Sequence, residues 1–167
     1  SDLLYARSGS EAADGIVTFA ETFTMQPFSN ILMTIPMTGT QIIDVLEEQC
    51  QPIGVSRPFL HLGVSQGLTY DLGKNIVVTT LPDGTTRRDC TGVTVANVVL
   101  NGVALDPGTT YKVTVNNFLA DGGDNFGAFK QGRDRKTGAM DVDAFEQFIA
   151  RRPLGEAIAL DRIKRVN

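Results

Sequence analysis

The sequence predicts an α+β fold of mixed, hairpin-rich β-sheets with flanking helices. Three observations carry this. Asp83-Gly84 and Asn101-Gly102 each sit between apolar-rich runs, the strongest short-range signal for a β-hairpin. Residues 41–49 and 143–150 instead space their apolar side chains along one helical face. Strand and helix patterns also fail to alternate regularly, as a doubly wound parallel sheet would require.

Taken in order, ordered structure is expected from residue 16, after a polar opening rich in Gly and Ser. Residues 19–25 form a short helix that Pro27 ends. Residues 31–37 read as a strand, and Pro36 places it near a sheet edge, because proline cannot donate to a ladder. Thr38-Gly39-Thr40 is a turn and cap for the helix at 41–49, whose apolar residues are Ile42, Ile43, Val45 and Leu46. Residues 59–64 are expected as a strand, with 67–72 pairing to it. Residues 76–81 and 86–90 flank Asp83-Gly84 as one hairpin. Residues 93–100 and 103–105 flank Asn101-Gly102 as another, followed by a turn at Asp106-Pro107-Gly108. Residues 111–115 alternate apolar and polar like a half-buried strand. Asp141 is a candidate N-cap for the helix at 143–150, and residues 162–166 alternate again as a last strand.

The chain has 167 residues, and its length and the absence of repeats or low-complexity tracts indicate one domain over 1–167. No apolar run approaches the roughly 18 residues of a membrane-spanning helix. A net charge of −4 argues against a nucleic-acid polymer as partner, which would require a basic stripe. The basic run Arg133-Asp134-Arg135-Lys136, followed by Gly138, reads as a solvated loop. Cys50 and Cys90 are either a disulfide or two unrelated buried thiols. A bridge would close a loop of about 40 residues and stabilise by roughly 3–4 kcal/mol in the chain-entropy model.

Catalysis by this chain alone is not expected. His61 is the one histidine, and between Leu60 and Leu62 it reads as a strand-face residue. A hydrolytic metal centre needs several His or Asp ligands at compatible spacing, and no such set is present, so no metal or other cofactor is assigned to the chain. There is no G-x-S-x-G elbow and no phosphate-cradling G-x-x-x-x-G-K-[ST] loop. The segment Asn116-Asn117-Phe118-Leu119-Ala120-Asp121-Gly122-Gly123-Asp124-Asn125-Phe126 is different. Gly122 and Gly123 allow close backbone approach to a ligand, and Asp124 can accept from sugar hydroxyls. Phe118 or Phe126 could stack on a planar ring. The same segment reads equally as a strand-to-loop turn whose phenylalanines plug the core. Gln26-Pro27-Phe28-Ser29-Asn30 leaves the same choice for Phe28.

These segments resemble the C-terminal, substrate-recognition domain of the 5'-nucleotidase and UDP-sugar hydrolase family. The resemblance rests on Ile16-Val17-Thr18-Phe19, on Thr22-Phe23-Thr24-Met25-Gln26-Pro27-Phe28-Ser29-Asn30, and on Met37-Thr38-Gly39-Thr40-Gln41-Ile42. It continues with Gly67-Leu68-Thr69-Tyr70-Asp71, Val99-Leu100-Asn101-Gly102 with Leu105-Asp106-Pro107, and Phe118-Leu119-Ala120-Asp121-Gly122-Gly123-Asp124. They occur in family order and cover most of residues 16–130.

The resemblance implies an enzyme whose separate N-terminal metallophosphoesterase domain holds two divalent metal ions and hydrolyses nucleotide phosphate esters. The C-terminal domain binds the nucleoside, with two phenylalanines sandwiching the base and an aspartate on the ribose. These fall on Phe28, Phe118 and Asp124, with Gly122 and Gly123 beside them. An Asn-x-Gly-Gly-Ile-Arg segment of the family, expected upstream of residue 1, does not occur in the sequence. The implied partners are a nucleoside or nucleotide and the metallophosphoesterase domain in cis. The implied location is extracellular, periplasmic or cell-surface, a setting in which Cys50 and Cys90 would be bridged. The competing expectation is a non-catalytic binding or scaffold module with a drifted pocket, or a domain of a related UDP-sugar hydrolase, cyclic-nucleotide phosphodiesterase or sulfur-oxidation hydrolase.

Overall fold

The computed structural model describes residues 18–151 and 161–166, and the order expected from Ile16 and Val17 lies outside that range. Helix α1 (Phe19–Met25) starts at a reciprocal capping box. The Thr18 side chain accepts from the Glu21 amide, and the Glu21 carboxylate accepts from the Thr18 amide at 2.7 Å. Strand β1 (Ile31–Thr38) runs into helix α2 (Gly39–Glu47) through a second capping box, made by Thr38 and Gln41. Strands β2 (Leu68–Thr80) and β3 (Thr86–Leu100) form one long hairpin, and β4 (Val103–Ala104) returns along β3. Strand β5 (Thr110–Asn116), the short helix α3 (Asn117–Ala120), strand β6 (Lys136–Met140), helix α4 (Asp141–Arg151) and strand β7 (Ile163–Arg165) complete the chain.

The α+β prediction holds. The strands form two sheets, ordered β5-β1-β6 and β4-β3-β2-β7. Strand β1 is antiparallel to both neighbours, and β7 lies parallel to β2. Each sheet has its own core. One collects Ile35, Met37, Ala120, Phe126, Ala128 and Phe129, and the other collects Tyr70, Leu72, Val98 and Leu105. Helix α2 serves both. Val45 enters the first core, Leu46 enters the second, and Ile42 packs against each.

Several expectations change. Strand β1 is central, not an edge. Pro36 is tolerated because pairing to β6 stops at Thr34, leaving no ladder there for its missing N–H. Residues 59–64 form no ladder strand, only a bridge of Phe59 to Cys50. They run between the two cores, with Leu60 and Leu62 against one and Phe59 and Val64 against the other. Residues 67–72 pair instead with β3 and β7. The two short hairpins expected around Asp83-Gly84 and before Asn101-Gly102 share continuous strands, while both turns stand where the sequence puts them. Arg133 and Asp134 lie exposed outside any strand, as expected, while Lys136 opens β6, and Asp141 is the first helical residue of α4, not the residue before it.

Segment 59–64 owes its path to Gln49, which is fully buried. Its Nε2 donates to the Leu46 carbonyl at 2.7 Å and to the Tyr70 hydroxyl at 3.1 Å. Its Oε1 accepts from the Leu62 amide at 2.9 Å, and its carbonyl accepts from the Leu60 amide at 2.9 Å. The next residue, Cys50, is disulfide-bonded to Cys90 of β3, with 5.5 Å between the Cα atoms.

Gln49→Leu should strand the Leu62 amide and deprive the Tyr70 hydroxyl of its partner. Each orphaned group costs about 1–3 kcal/mol, so the variant should lose roughly 2–6 kcal/mol. Urea unfolding would read this directly, and a loss under about 1 kcal/mol would show that other groups or water replace the carboxamide.

Candidate functional site

The pairing of β1 with β5 sets Leu32 opposite Asn116. Phe28 lies just before β1 and Phe118 just after β5, so the register brings both to the same end of the sheet. The two flanking loops are stitched together there. Asn117 Oδ1 accepts from the Ile31 amide at 2.7 Å, and the Asn30 carbonyl accepts from the Asp141 amide at 2.8 Å. Asn116 caps α3 by accepting from the Leu119 amide at 2.8 Å, and α3 carries Phe118. Phe28 is 77% exposed and Phe118 is 48% exposed. Leaving two aromatic rings in water at one edge forgoes burial that each could contribute.

The remaining residues of the segment divide cleanly. Phe126 is buried and packs on Phe129 with 6.3 Å between ring centroids. It is the core plug, and Phe118 is the displayed ring. Gly122 takes a left-handed conformation at φ 78°, which favours glycine. A Cβ on Gly123 would lie 2.5–2.6 Å from ring atoms of Phe118, so that ring rests on bare backbone. Asp124 and Asn125 are also left-handed, at φ 52° and 64°. Consecutive positive φ values outside glycine are held against backbone strain, and Asp and Asn tolerate them best.

Side chains from distant elements hold this turn. Asn125 Nδ2 donates to Gln51 Oε1 at 2.8 Å. Both Glu48 oxygens accept from the Ala128 amide at 3.0 Å. Arg135 donates to Asp121 Oδ1 at 2.9 Å and to the Phe129 carbonyl at 3.3 Å. Burial pushes the Glu48 carboxyl above its ordinary pKa, against the opposing pull of the Ala128 amide. Arg57 approaches Asp124, with Nη2 3.9 Å from Oδ2. Sequence reasoning missed Glu48, Gln51, Arg57 and Arg135. Nothing local marks them, because each acts across the fold.

His61 stands apart from these residues. Its ring meets Phe59 edge-on at 4.8 Å, and Lys74 Nζ lies 4.6 Å from the Phe59 ring centre. Burial lowers its pKa below 6.5, and Lys74 and Arg165 lower it further. Among the described residues no three His, Cys, Asp or Glu side chains converge on a metal position. An apolar cavity of about 350 Å³ lies elsewhere, lined largely by aliphatic residues such as Met37, Ile42, Leu46 and Leu62. Neither Phe28, Phe118 nor Asp124 lines it.

Residues 4–131 match the family described as 5'-nucleotidase, C-terminal domain. The chain is 31% identical over 133 residues to the cell wall protein Lmo0130 of Listeria monocytogenes, covering 80% of this chain and 15% of that protein. It is 27% identical over 172 residues to the NAD 5'-nucleotidase of Haemophilus influenzae, covering 98% of this chain and 28% of that one. The structure of a 5'-nucleotidase precursor from Thermus thermophilus aligns with a TM-score of 0.66 at 29% identity, over 90% of this chain and 28% of that chain. The NAD nucleotidase structure from Haemophilus influenzae aligns at 0.63 and 25% identity, over 89% of this chain and 26% of that one. This chain therefore spans less than a third of the length of each of these relatives.

Two outcomes follow from this geometry. With one histidine in the chain, proton NMR should give a single imidazole titration midpoint below 6.5, and Lys74→Gln should raise it. Across the window just below pH 6.5 the unfolded chain binds the extra proton, so stability should rise with pH there. A midpoint at or above 6.5 would contradict the packing around His61. Gly123→Ala should displace the Phe118 ring, because the new methyl occupies its seat. The side-chain resonances of Phe118 should shift while those of Phe126 stay in place, and unchanged Phe118 signals would refute the contact.

Proposed function

The chain belongs to the 5'-nucleotidase C-terminal domain family, and from that premise we propose that it is the nucleoside-recognition part of an exported phosphoric-ester hydrolase. One observation carries the reading. Phe28 and Phe118 stand exposed at the same end of the β1–β5 pair, beside an aspartate held in a left-handed turn. Aromatic rings displayed in water suit the π faces of a nucleobase, which stacks without requiring charge. The Asp124 carboxylate, 3.9 Å from Arg57 Nη2, can accept from both hydroxyls of a ribose. Gly123 gives the Phe118 ring its seat, and Gly122 leaves room for the Lys130 side chain.

In this reading the two divalent metal ions and the hydrolytic chemistry reside in a metallophosphoesterase domain elsewhere in the parent protein. This chain binds and orients the substrate, and alone it hydrolyses nothing. The Cys50–Cys90 disulfide and the cell wall relative support export.

Two stacked faces at about 1–3 kcal/mol each give roughly millimolar affinity at best. A two-dimensional NMR titration with adenosine should therefore shift resonances of Phe28, Phe118 and Asp124 at millimolar ligand, and Phe118→Ala should abolish the response. Shifts confined to other residues, or none, would count against the nucleoside reading and favour a drifted pocket. Turnover of adenosine 5'-phosphate that co-purified with the chain would refute its assignment as a binding part. In the parent enzyme Phe118→Ala should raise KM, with kcat nearly unchanged, because stacking binds ground state and transition state alike.

A further inference from the structure

We propose that Arg57 reads the phosphate of the bound nucleotide and makes this site prefer a nucleoside phosphate to a bare nucleoside. The inference rests on the nucleoside reading above and adds the residue that handles the ligand's charge.

Arg57 belongs to the loop of residues 50–59, which is tied at several points. At the base, Cys50 bridges Phe59, and the Gln51 amide donates to the Pro58 carbonyl at 2.9 Å. Cys50 is also fixed to β3 by its disulfide to Cys90. Farther along the loop, the Gly54 amide donates to Asp89 Oδ1 at 3.0 Å. Asp89 is buried, and its carboxyl is held below the ordinary range by that bond and by Arg87, so it remains a charged anchor. Finally, Gln51 accepts from Asn125, the residue after Asp124. The backbone carrying Arg57 is thus fastened to the turn that presents the sugar-binding carboxylate.

Arg57 Nη2 and Asp124 Oδ2 are 3.9 Å apart, beyond hydrogen-bonding distance, and their side chains are 70% and 44% exposed. Such a pair is held weakly and is screened by solvent. A ligand hydroxyl can take Asp124, and the guanidinium, with no hydrogen bond to another described residue, keeps its donors for an anion. Arginine's planar fork matches phosphate oxygens two at a time.

The chain carries a net charge of −4 and presents a carboxylate in the site itself, so its general field opposes an anionic ligand. Any preference for a phosphorylated nucleoside must come from a local cation. Arg57 is the cation paired with the site's carboxylate, Arg135 is committed to Asp121 and the Phe129 carbonyl, and Lys130 lies against the backbone of Gly122.

The test compares adenosine with adenosine 5'-phosphate on the whole chain by NMR titration, at low and high salt. At low salt the phosphate should bind about fivefold more tightly than adenosine, the yield of one exposed charge contact, and salt should erode the difference. Arg57→Gln should bring the ratio of the two affinities to about one or below, and Arg57→Lys should restore part of it. Arg88→Gln, an exposed charge change on β3, should leave the ratio unaltered. A preference that persists in Arg57→Gln, or equal binding of the two ligands by the native chain, overturns the assignment. If adenosine binds at Phe28 and Phe118 but the phosphate adds nothing, only the role of Arg57 fails. If neither ligand shifts those residues, the nucleoside reading fails with it.

Discussion

A carboxamide sealed from water cannot leave its hydrogen-bonding groups idle, and this fold is arranged around one, that of Gln49. Its position at the end of α2 lets it answer three chain segments at once: the last turn of that helix, Tyr70 of β2, and the strand-like run at residues 59–64. That run has almost no ladder partner of its own, which leaves the half-buried Leu60 and Leu62 amides to find partners elsewhere. Gln49 supplies partners through both its side chain and its carbonyl. The two cores can therefore share α2 and a single connecting segment without forming one continuous sheet.

Cys50 and Gln51 extend the same idea outward. Three consecutive residues hold three different things: the interior through Gln49, the long hairpin through Cys50, and the displayed turn through Gln51. The turn at residues 122–125 has an unfavourable backbone, and it persists because the residues after it are bolted down. Phe126, Ala128 and Phe129 are buried, and the Ala128 amide is held by Glu48. The rigid part lies beneath the surface, and the rings and carboxylate above it remain in solvent. This is the arrangement expected of a preorganised binding surface.

Much of this was legible in the sequence where the signal is local. Asp83-Gly84 and Asn101-Gly102 mark their turns because both demand positive φ somewhere in the link, and Gly84, Asn101 and Gly102 supply it. The helices α2 and α4 follow from apolar spacing, and Pro27 limits α1. What the sequence could not reveal depended on partners distant along the chain. Strand β6 carries a glycine and a basic flank, and only β1 beside it makes it a strand. Pro36 signals an edge by local chemistry, yet the short reach of β6 gives a central strand room for it. Phe118 and Phe126 are the same residue type in the same segment, and which one faces water depends on the path of the turn, not on either residue. The family resemblance named Phe118 for the ligand, but only the packing of Phe126 on Phe129 separates the two rings physically.

The long β2–β3 hairpin also bears on time. Its strands are neighbours in sequence, so pairing them closes a short loop with little loss of entropy. Strand β1 must instead meet β5 across 80 residues, as at Thr34 and Thr114, with the whole hairpin lying between them. Loop-closure entropy therefore favours the hairpin early and the three-stranded sheet late. Phe28 and Phe118 are brought together only by that later, long-range pairing. A chain that has made its turns but not found this register carries both rings without a site between them, so the paired display serves as a mark of completed folding.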